Sequence, residues 1–220
     1  MKNLAKLVSL ALLSIIALKS NAQGFILQGG FNLSQLAVKM DGEVDNEGRG
    51  FQPGFQMGFA YEIPIYRENL VLSPGLIINT KGTKIVTKES FGSSTYTESM
   101  KANLYYLEIP LAMRYYFDTG ESRVYLGAGP YVAFGLIGNV LYKATYSGDS
   151  ESYVDGIMWG EDGLTRFDAG LLGGLGAEFG NFQIGAQYGL GLMNVLSDGD
   201  SDNSIKNQVL SFIIAYRIGG

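Results

Sequence analysis

The chain has 220 residues, a formal charge of −5, and neither histidine nor cysteine. Without cysteine there are no disulfides, thiolate metal sites or Cys nucleophile, and without histidine the commonest general base and metal ligand are missing. Basic residues do not cluster, which argues against nucleic acid as a partner, and no motif calls for a cofactor.

Lys2 and Lys6 give the chain a positive start, and Leu7 to Leu18 is an apolar run broken only by Ser9 and Ser14. Ser20 and Ala22 put small residues at the −3 and −1 positions of a cleavage site. This predicts a Sec-type signal peptide over 1–22, cleaved before Gln23, and a single domain over 23–220. The apolar run is short for a membrane helix, which needs ~20 residues. Removing Lys2, Lys6 and Lys19 takes the formal charge from −5 to −8.

After that segment, apolar residues recur at every second position. The alternating segments are Gly24–Leu36, Phe51–Ile63, Leu70–Lys84, Ala102–Phe117, Arg123–Val140, Leu164–Phe179, Asn181–Val195 and Asn207–Gly220. A period of two is that of a strand, and each run supplies the ~9–11 residues a tilted strand needs to cross a bilayer. In the second segment Phe51, Phe55, Met57, Phe59 and Tyr61 oppose Gln52, Gly54, Gln56, Gly58, Ala60 and Glu62. Phe182, Ile184, Ala186, Tyr188, Leu190 and Leu192 oppose Gln183, Gly185, Gln187, Gly189 and Gly191. The polar rows are small and mostly uncharged, which suits the inside of a narrow barrel whose apolar rows meet lipid.

Short connections (Pro64–Asn69, Asp118–Ser122, Gly180–Asn181) alternate with long polar ones (Ala37–Gly50, Ile85–Lys101, Leu141–Gly163, Leu196–Lys206). The prediction is all-β: an eight-stranded antiparallel up-and-down transmembrane β-barrel with short periplasmic turns and long outer loops, placed in the outer membrane. Pro53, Pro74, Pro110 and Pro130 fall inside strands, where bulges or local breaks are expected.

Glu62, Lys81, Glu108, Arg114, Arg123, Arg166, Asp168, Glu178 and Arg217 share the face opposite the apolar rows. Burying an unpaired charge is costly, so a structural network of ion pairs across the lumen is expected rather than a catalytic pair. Glu108 and Arg114 are six residues apart on one strand, ~20 Å, and cannot pair. Glu108, Glu178 and Asp168 are the carboxylates available to Arg114 and Arg123.

Other features carry weaker signals. Asp198 to Ser204 resembles the start of a calcium loop but has Asn203 and Val209 where an EF-hand needs Gly and Glu, so no metal site is assigned. Asp41, Glu43, Asp45 and Glu47 form another solvated acidic loop. Gly148-Asp149-Ser150 has the look of a GDS-esterase block without the histidine that chemistry requires. Tyr105, Tyr115 and Phe117 are expected in an interfacial aromatic girdle. The single Trp159 is expected to pack within its loop.

Three segments, YYLEIPLAMRYYF (Tyr105–Phe117), RVYLGAGPYVAFGL (Arg123–Leu136) and FDAGLLGGLGAEFG (Phe167–Gly180), resemble the PorT-like family of outer-membrane β-barrel domains. The resemblance implies an eight-stranded barrel in a Gram-negative cell envelope, with a link to a secretion apparatus in the founding member and no catalytic residues. The leading expectation is a non-enzymatic, monomeric scaffold set in outer-membrane lipid and lipopolysaccharide, presenting loops to protein partners. The alternatives are a narrow channel or small-solute carrier and a soluble lipocalin-like periplasmic binder.

Overall fold

A computed structural model of the protein describes residues 24–45, 48–91, 94–146, 149–160 and 163–218; the predicted signal peptide lies outside them. Eight strands follow one another: β1 (Gly24–Met40), β2 (Gln52–Tyr66), β3 (Leu70–Phe91), β4 (Ser94–Asp118), β5 (Arg123–Tyr146), β6 (Phe167–Phe179), β7 (Phe182–Gly191) and β8 (Ser204–Ile218). Each pairs antiparallel with its chain neighbour, and β8 returns to β1 from Phe25↔Ile218 to Lys39↔Ser204. The sheet closes on itself, which removes the free edges of an open sheet.

Alternation decides which way each strand faces. One cross-strand row passes from Phe55 through Phe31, Phe212, Ala186, Leu175, Leu126 and Tyr115 to Leu70. Every member is apolar or aromatic and lies on the outer face. Moving one such Phe or Leu side chain from water into hydrocarbon gains about 1.5–3 kcal/mol, so a belt of this length decides the medium. The inner face buries Asn32, Ser34, Gln52, Gln56, Ser73, Asn79 and Ser211 instead. This distribution removes the lipocalin-like alternative, which needs the apolar faces turned inward around a ligand.

Rings gather on the outer face toward the short-turn end. Tyr115 meets Phe117 at 4.8 Å, Phe182 meets Tyr216 at 5.0 Å, and Phe25 stacks on Phe59 at 5.5 Å between centroids. Amphipathic and aromatic rings at that level suit a membrane interface. The β6–β7 turn is only two residues, with Gly180 at φ 57°, a backbone setting that glycine adopts without a Cβ clash.

The outer connections differ from the sequence expectation. Much of Ala37–Gly50, Ile85–Lys101 and Leu141–Gly163 is strand, because β1, β3, β4 and β5 run on past the apolar belt. A further strand, Asp149–Gly156, folds back along β5, and shorter pieces at Glu43–Asp45 and Arg49–Gly50 pair with β1 and β3. Along the extensions of β3, β4 and β5 both faces are at least partly exposed, so the polar–apolar alternation that marks a strand fades there. Conversely, β6 starts at Phe167 rather than Leu164, and β7 ends at Gly191 rather than Val195.

Three of the four prolines interrupt pairing without shifting register. Pairing lapses between Pro74↔Leu111 and Ile77↔Glu108, and between Pro110↔Tyr131 and Met113↔Ala128. Pro53 pairs in register with Leu33, beside a stretch where β2 and β3 do not pair. There the Asn32 side-chain amide donates to Phe55 O (3.0 Å) and Thr80 O (3.2 Å), standing in for the missing ladder. Register shifts occur elsewhere, between Pro64 and Tyr66 and opposite Tyr105/Tyr106. In the second, Leu136 is the extra residue, since Tyr105 pairs with Ile137 and Tyr106 with Gly135. The inward phase of β5 changes there from odd residues to even ones.

Candidate functional site

The lumen is filled from both ends. Near the short-turn end, Arg217 crosses β1 to place Nη1 2.7 Å from Glu62 Oε2, and Arg114 Nη1 lies 3.2 Å from Glu62 Oε1. Tyr116 donates its hydroxyl to Glu62 Oε1 at 2.6 Å. Glu178 takes both Arg217 and Arg123, with Arg123 Nε at 2.9 Å, and Gln183 Nε2 donates to its other oxygen at 2.7 Å. Arg123 lies over the Tyr116 ring at 4.5 Å and Arg114 over the Tyr125 ring at 5.1 Å. Gly176 and Gly185 leave the bay that the Tyr125 ring occupies.

Higher up, Lys81 Nζ lies 2.8 Å from Glu108 Oε2 and 3.0 Å from Asp168 Oδ2. All three are buried. Asn207 donates to Asp168 at 3.0 Å, Tyr131 donates to it at 3.3 Å, and Asn79 donates to Glu108 at 3.1 Å. The Lys81 ammonium sits 4.2 Å from the Tyr131 centroid, a cation–π contact inside the barrel. Between the two clusters, Gln28, Gln56, Glu108, Arg114 and Gln187 bound a void of about 10 Å³. That is about the space of a single water.

The outer mouth is stoppered by its own loops. Trp159 meets Tyr106 edge-on at 6.0 Å, and with Ile157 and Leu164 it packs on a core of Leu104, Tyr106, Tyr131 and Leu172. Gly135 makes room, since any Cβ there would strike the Trp159 ring. Leu164 bridges to Leu196, Thr165 N donates to Val195 O at 2.9 Å, and Val195 is fully buried. Trp159 packs within the protein, as its loop position suggested.

Eight of the nine charged residues singled out in the sequence meet in these two clusters, four bases with four acids. Arg166 does not join them. It is exposed, just before β6, and donates to Gly135 O (2.7 Å) and Leu136 O (2.9 Å), the carbonyls at the β5 bulge. A bulge leaves backbone groups without ladder partners, and Arg166 supplies the donor. The carboxylate of Arg114 is Glu62, which was not among the three named for it. The lumen is narrow enough for side chains of the non-adjacent strands β2 and β4 to touch. Tyr116, Tyr125, Tyr131 and Gln183 belong to the clusters too. Their parity, shared with Arg114, Arg123 and the other inward residues, is the signal that could have found them.

Asp200 Oδ1 accepts the N–H groups of Asn203 (2.7 Å) and Asp202 (2.9 Å), which hold its carboxyl below the usual carboxylate range. Lys39 lies 3.6 Å from Asp202. Among the described residues no three acidic side chains converge. Glu47 and Gly148 lie outside the described residues, and Ser150 bonds Thr145 on the surface.

The family model for the outer membrane protein beta-barrel domain matches residues 21–197. No curated protein matches the chain. Among solved structures it is similar to Ail, the attachment invasion locus protein of Yersinia pestis, solved with the heparin analogue sucrose octasulfate (18% identity, TM-score 0.37, 89% of this chain and 99% of that one). It is also similar to Neisserial surface protein A (13% identity, TM-score 0.43, 88% and 97%). The closed ring of strands, the outward apolar belt and a family match over most of its length agree: the chain belongs to the outer membrane protein β-barrel domain family.

Proposed function

We propose that this outer-membrane barrel is a non-enzymatic scaffold that presents its surface strands and loops to protein and envelope partners. The observation that carries the reading is the filled lumen, with ion-paired side chains on its floor, a tryptophan stopper at its mouth and a void of about 10 Å³ between. A hydrated ion needs a continuous water path, and side chains occupy it. The chain is exported by the cleavable segment over 1–22, and the mature barrel is a monomer. The LEIPL and YLGAGPY segments support kinship with PorT-like barrels and through it a tie to a secretion apparatus.

Lipid is the second partner. Lys84 and Lys101 are cross-strand neighbours on the outer face of the extensions above the belt, with Lys88 and Lys143 on the same face. Like charges directly opposite repel. Phosphates of outer-leaflet lipopolysaccharide at that level would relieve the repulsion.

Refolded protein in planar bilayers tests the scaffold reading. It predicts no steady current above the lipid baseline, and a reproducible single-channel current that Arg114→Ala alters would overturn it. Crosslinking from the outer loops in intact cells then identifies the partners.

A further inference from the structure

Above the membrane the barrel wall continues as a projecting sheet with one unprotected side. The extensions of β3, β4 and β5 pair in order, and Asp149–Gly156 adds a fourth strand along Asn139–Tyr146. All eight residues of that strand are exposed, and among the described residues no strand pairs with its far side. Ile157 N donates to Gly138 O at 3.0 Å, continuing the same register. In an antiparallel ladder such bonds alternate, so Asp149, Glu151, Tyr153 and Asp155 bond β5. The N–H and C=O groups of Ser150, Ser152 and Val154 then point away from the sheet. The Gly156 N–H is taken by Asp155 Oδ1 at 2.8 Å.

Edges of this length are usually blunted by proline, lysine, a bulge or a covering loop. This strand has no proline, lysine or register shift. What it has is charge on one face. Asp149, Glu151 and Asp155 point to the same side as Tyr153, which stacks on Tyr142 at 4.8 Å. Glu98 lies two strands away in the Glu151 row, and Glu89 closes the Asp149 row. The base on this face among the described residues is Arg49, at the far border beside Ile85. The lysines of the projecting sheet are all on its other face.

We infer that Asp149–Gly156 is a docking edge for an extended protein segment with lysine or arginine at alternate positions, which adds a strand to the sheet. The main chain of the segment pairs with Ser150, Ser152 and Val154, and its basic side chains fall on the face of Asp149, Glu151 and Asp155. A second copy of this chain is a poor occupant. Its own edge strand carries no lysine or arginine to meet the carboxylates. The inference rests on the scaffold reading and gives it a partner class.

The probe is a fluorescent ten-residue peptide alternating lysine with threonine and valine, titrated onto the refolded barrel in lipid nanodiscs. Binding that weakens as salt rises is expected. Ser152→Pro removes an outward N–H on an edge that tolerates proline, and should weaken binding at least tenfold. N-methylation of the peptide at alternate amides should do the same with every charge kept. So should Asp149→Asn/Glu151→Gln/Asp155→Asn. Retained heat-modifiable gel mobility shows that each variant is folded. Absence of binding overturns the inference, as does binding untouched by Ser152→Pro and N-methylation, which would mean charge attraction alone. Barrel dimers crosslinked through a cysteine at position 152 would also overturn it. None of these outcomes touches the scaffold reading, which falls only on a bilayer current.

Discussion

Arg217 reaches Glu62 by passing over Gly24: its Nη1 lies 2.7 Å from Glu62 Oε2, and a Cβ on Gly24 would sit 2.8 Å from that same nitrogen. The ion pair joins β8 to β2 across β1, which ties the closure of the barrel to the floor of the lumen. Glu62→Gln strips a carboxylate from Arg217 and Arg114 together. A loss of about 3–5 kcal/mol is expected, since Arg114 stays buried without its carboxylate and Arg217 keeps only Glu178. Gly24→Val should cost less, about 1–3 kcal/mol, by crowding the guanidinium. Guanidinium unfolding in micelles, followed by heat-modifiable mobility, gives both numbers.

In the upper cluster one cation serves two acids, so the cost of a change depends on what is left behind. Lys81→Met leaves Glu108 and Asp168 facing each other and should cost about 3–5 kcal/mol. Adding Glu108→Gln and Asp168→Asn removes the stranded charges. The triple variant should therefore be more stable than the single one, and a triple variant less stable than Lys81→Met would contradict the pairing.

Trp159 is the chain's single tryptophan, which makes the stopper readable by fluorescence. Gly135→Val puts a side chain into the space of its ring. The expected outcome is a red-shifted emission and stronger acrylamide quenching than in the unaltered protein. Tyr106→Ala, which removes the edge-on partner, should shift emission in the same direction. Unchanged spectra in both would place the ring elsewhere.

Ile214 lies on the apolar outer face beside Gly29 of β1 and Ile184 of β7. Ile214→Arg should cost about 2–4 kcal/mol if that position meets the bilayer interior. Asp198→Arg in the outer loop should leave stability nearly unchanged. Equal, small effects at the two positions would argue against a lipid-facing belt.

The loop at Asp200 has a definite acid response. Its carboxyl titrates below the ordinary value because Asn203 and Asp202 donate backbone N–H groups to it. A group with a depressed folded pKa contributes stability above its unfolded value, and that contribution disappears as pH falls through the folded one. Protection of the Asp202 and Asn203 amides, measured against their intrinsic exchange rates at each pH, should fall only below about pH 4, near and beneath the ordinary aspartate value. Loss of that protection already near neutral pH would show that these donors do not hold the turn.

Legibility of the fold followed the environment of each residue. Within the membrane one face meets hydrocarbon and the other meets packed polar groups, so Phe55/Gln56 and Phe212/Ile213 read as strand at once. Above it, residues such as Lys88, Thr97 and Ser150 share a sheet with water on both sides, and their strand carries no apolar row. For the lumen, parity places Glu62, Lys81 and Glu178 inside, but partner choice depends on which strands meet across the ring. Arg114 finds Glu62 only because the barrel is narrow. The bulge at Leu136 has no local signature, and with it went the role of Arg166, which lies just ahead of its strand.

Which faces meet lipid can be read directly, because the chain contains no cysteine to confuse a label. Single cysteines at Phe55, Ile184 and Phe212, and at their inward neighbours Gln56, Gly185 and Ile213, carry a fluorophore in vesicles holding a quencher confined to the acyl chains. Strong quenching at the first three and little at the second three is the expected result. Quenching on the glutamine and glycine side instead, or protein that stays monodisperse without detergent or lipid, would contradict the membrane barrel itself.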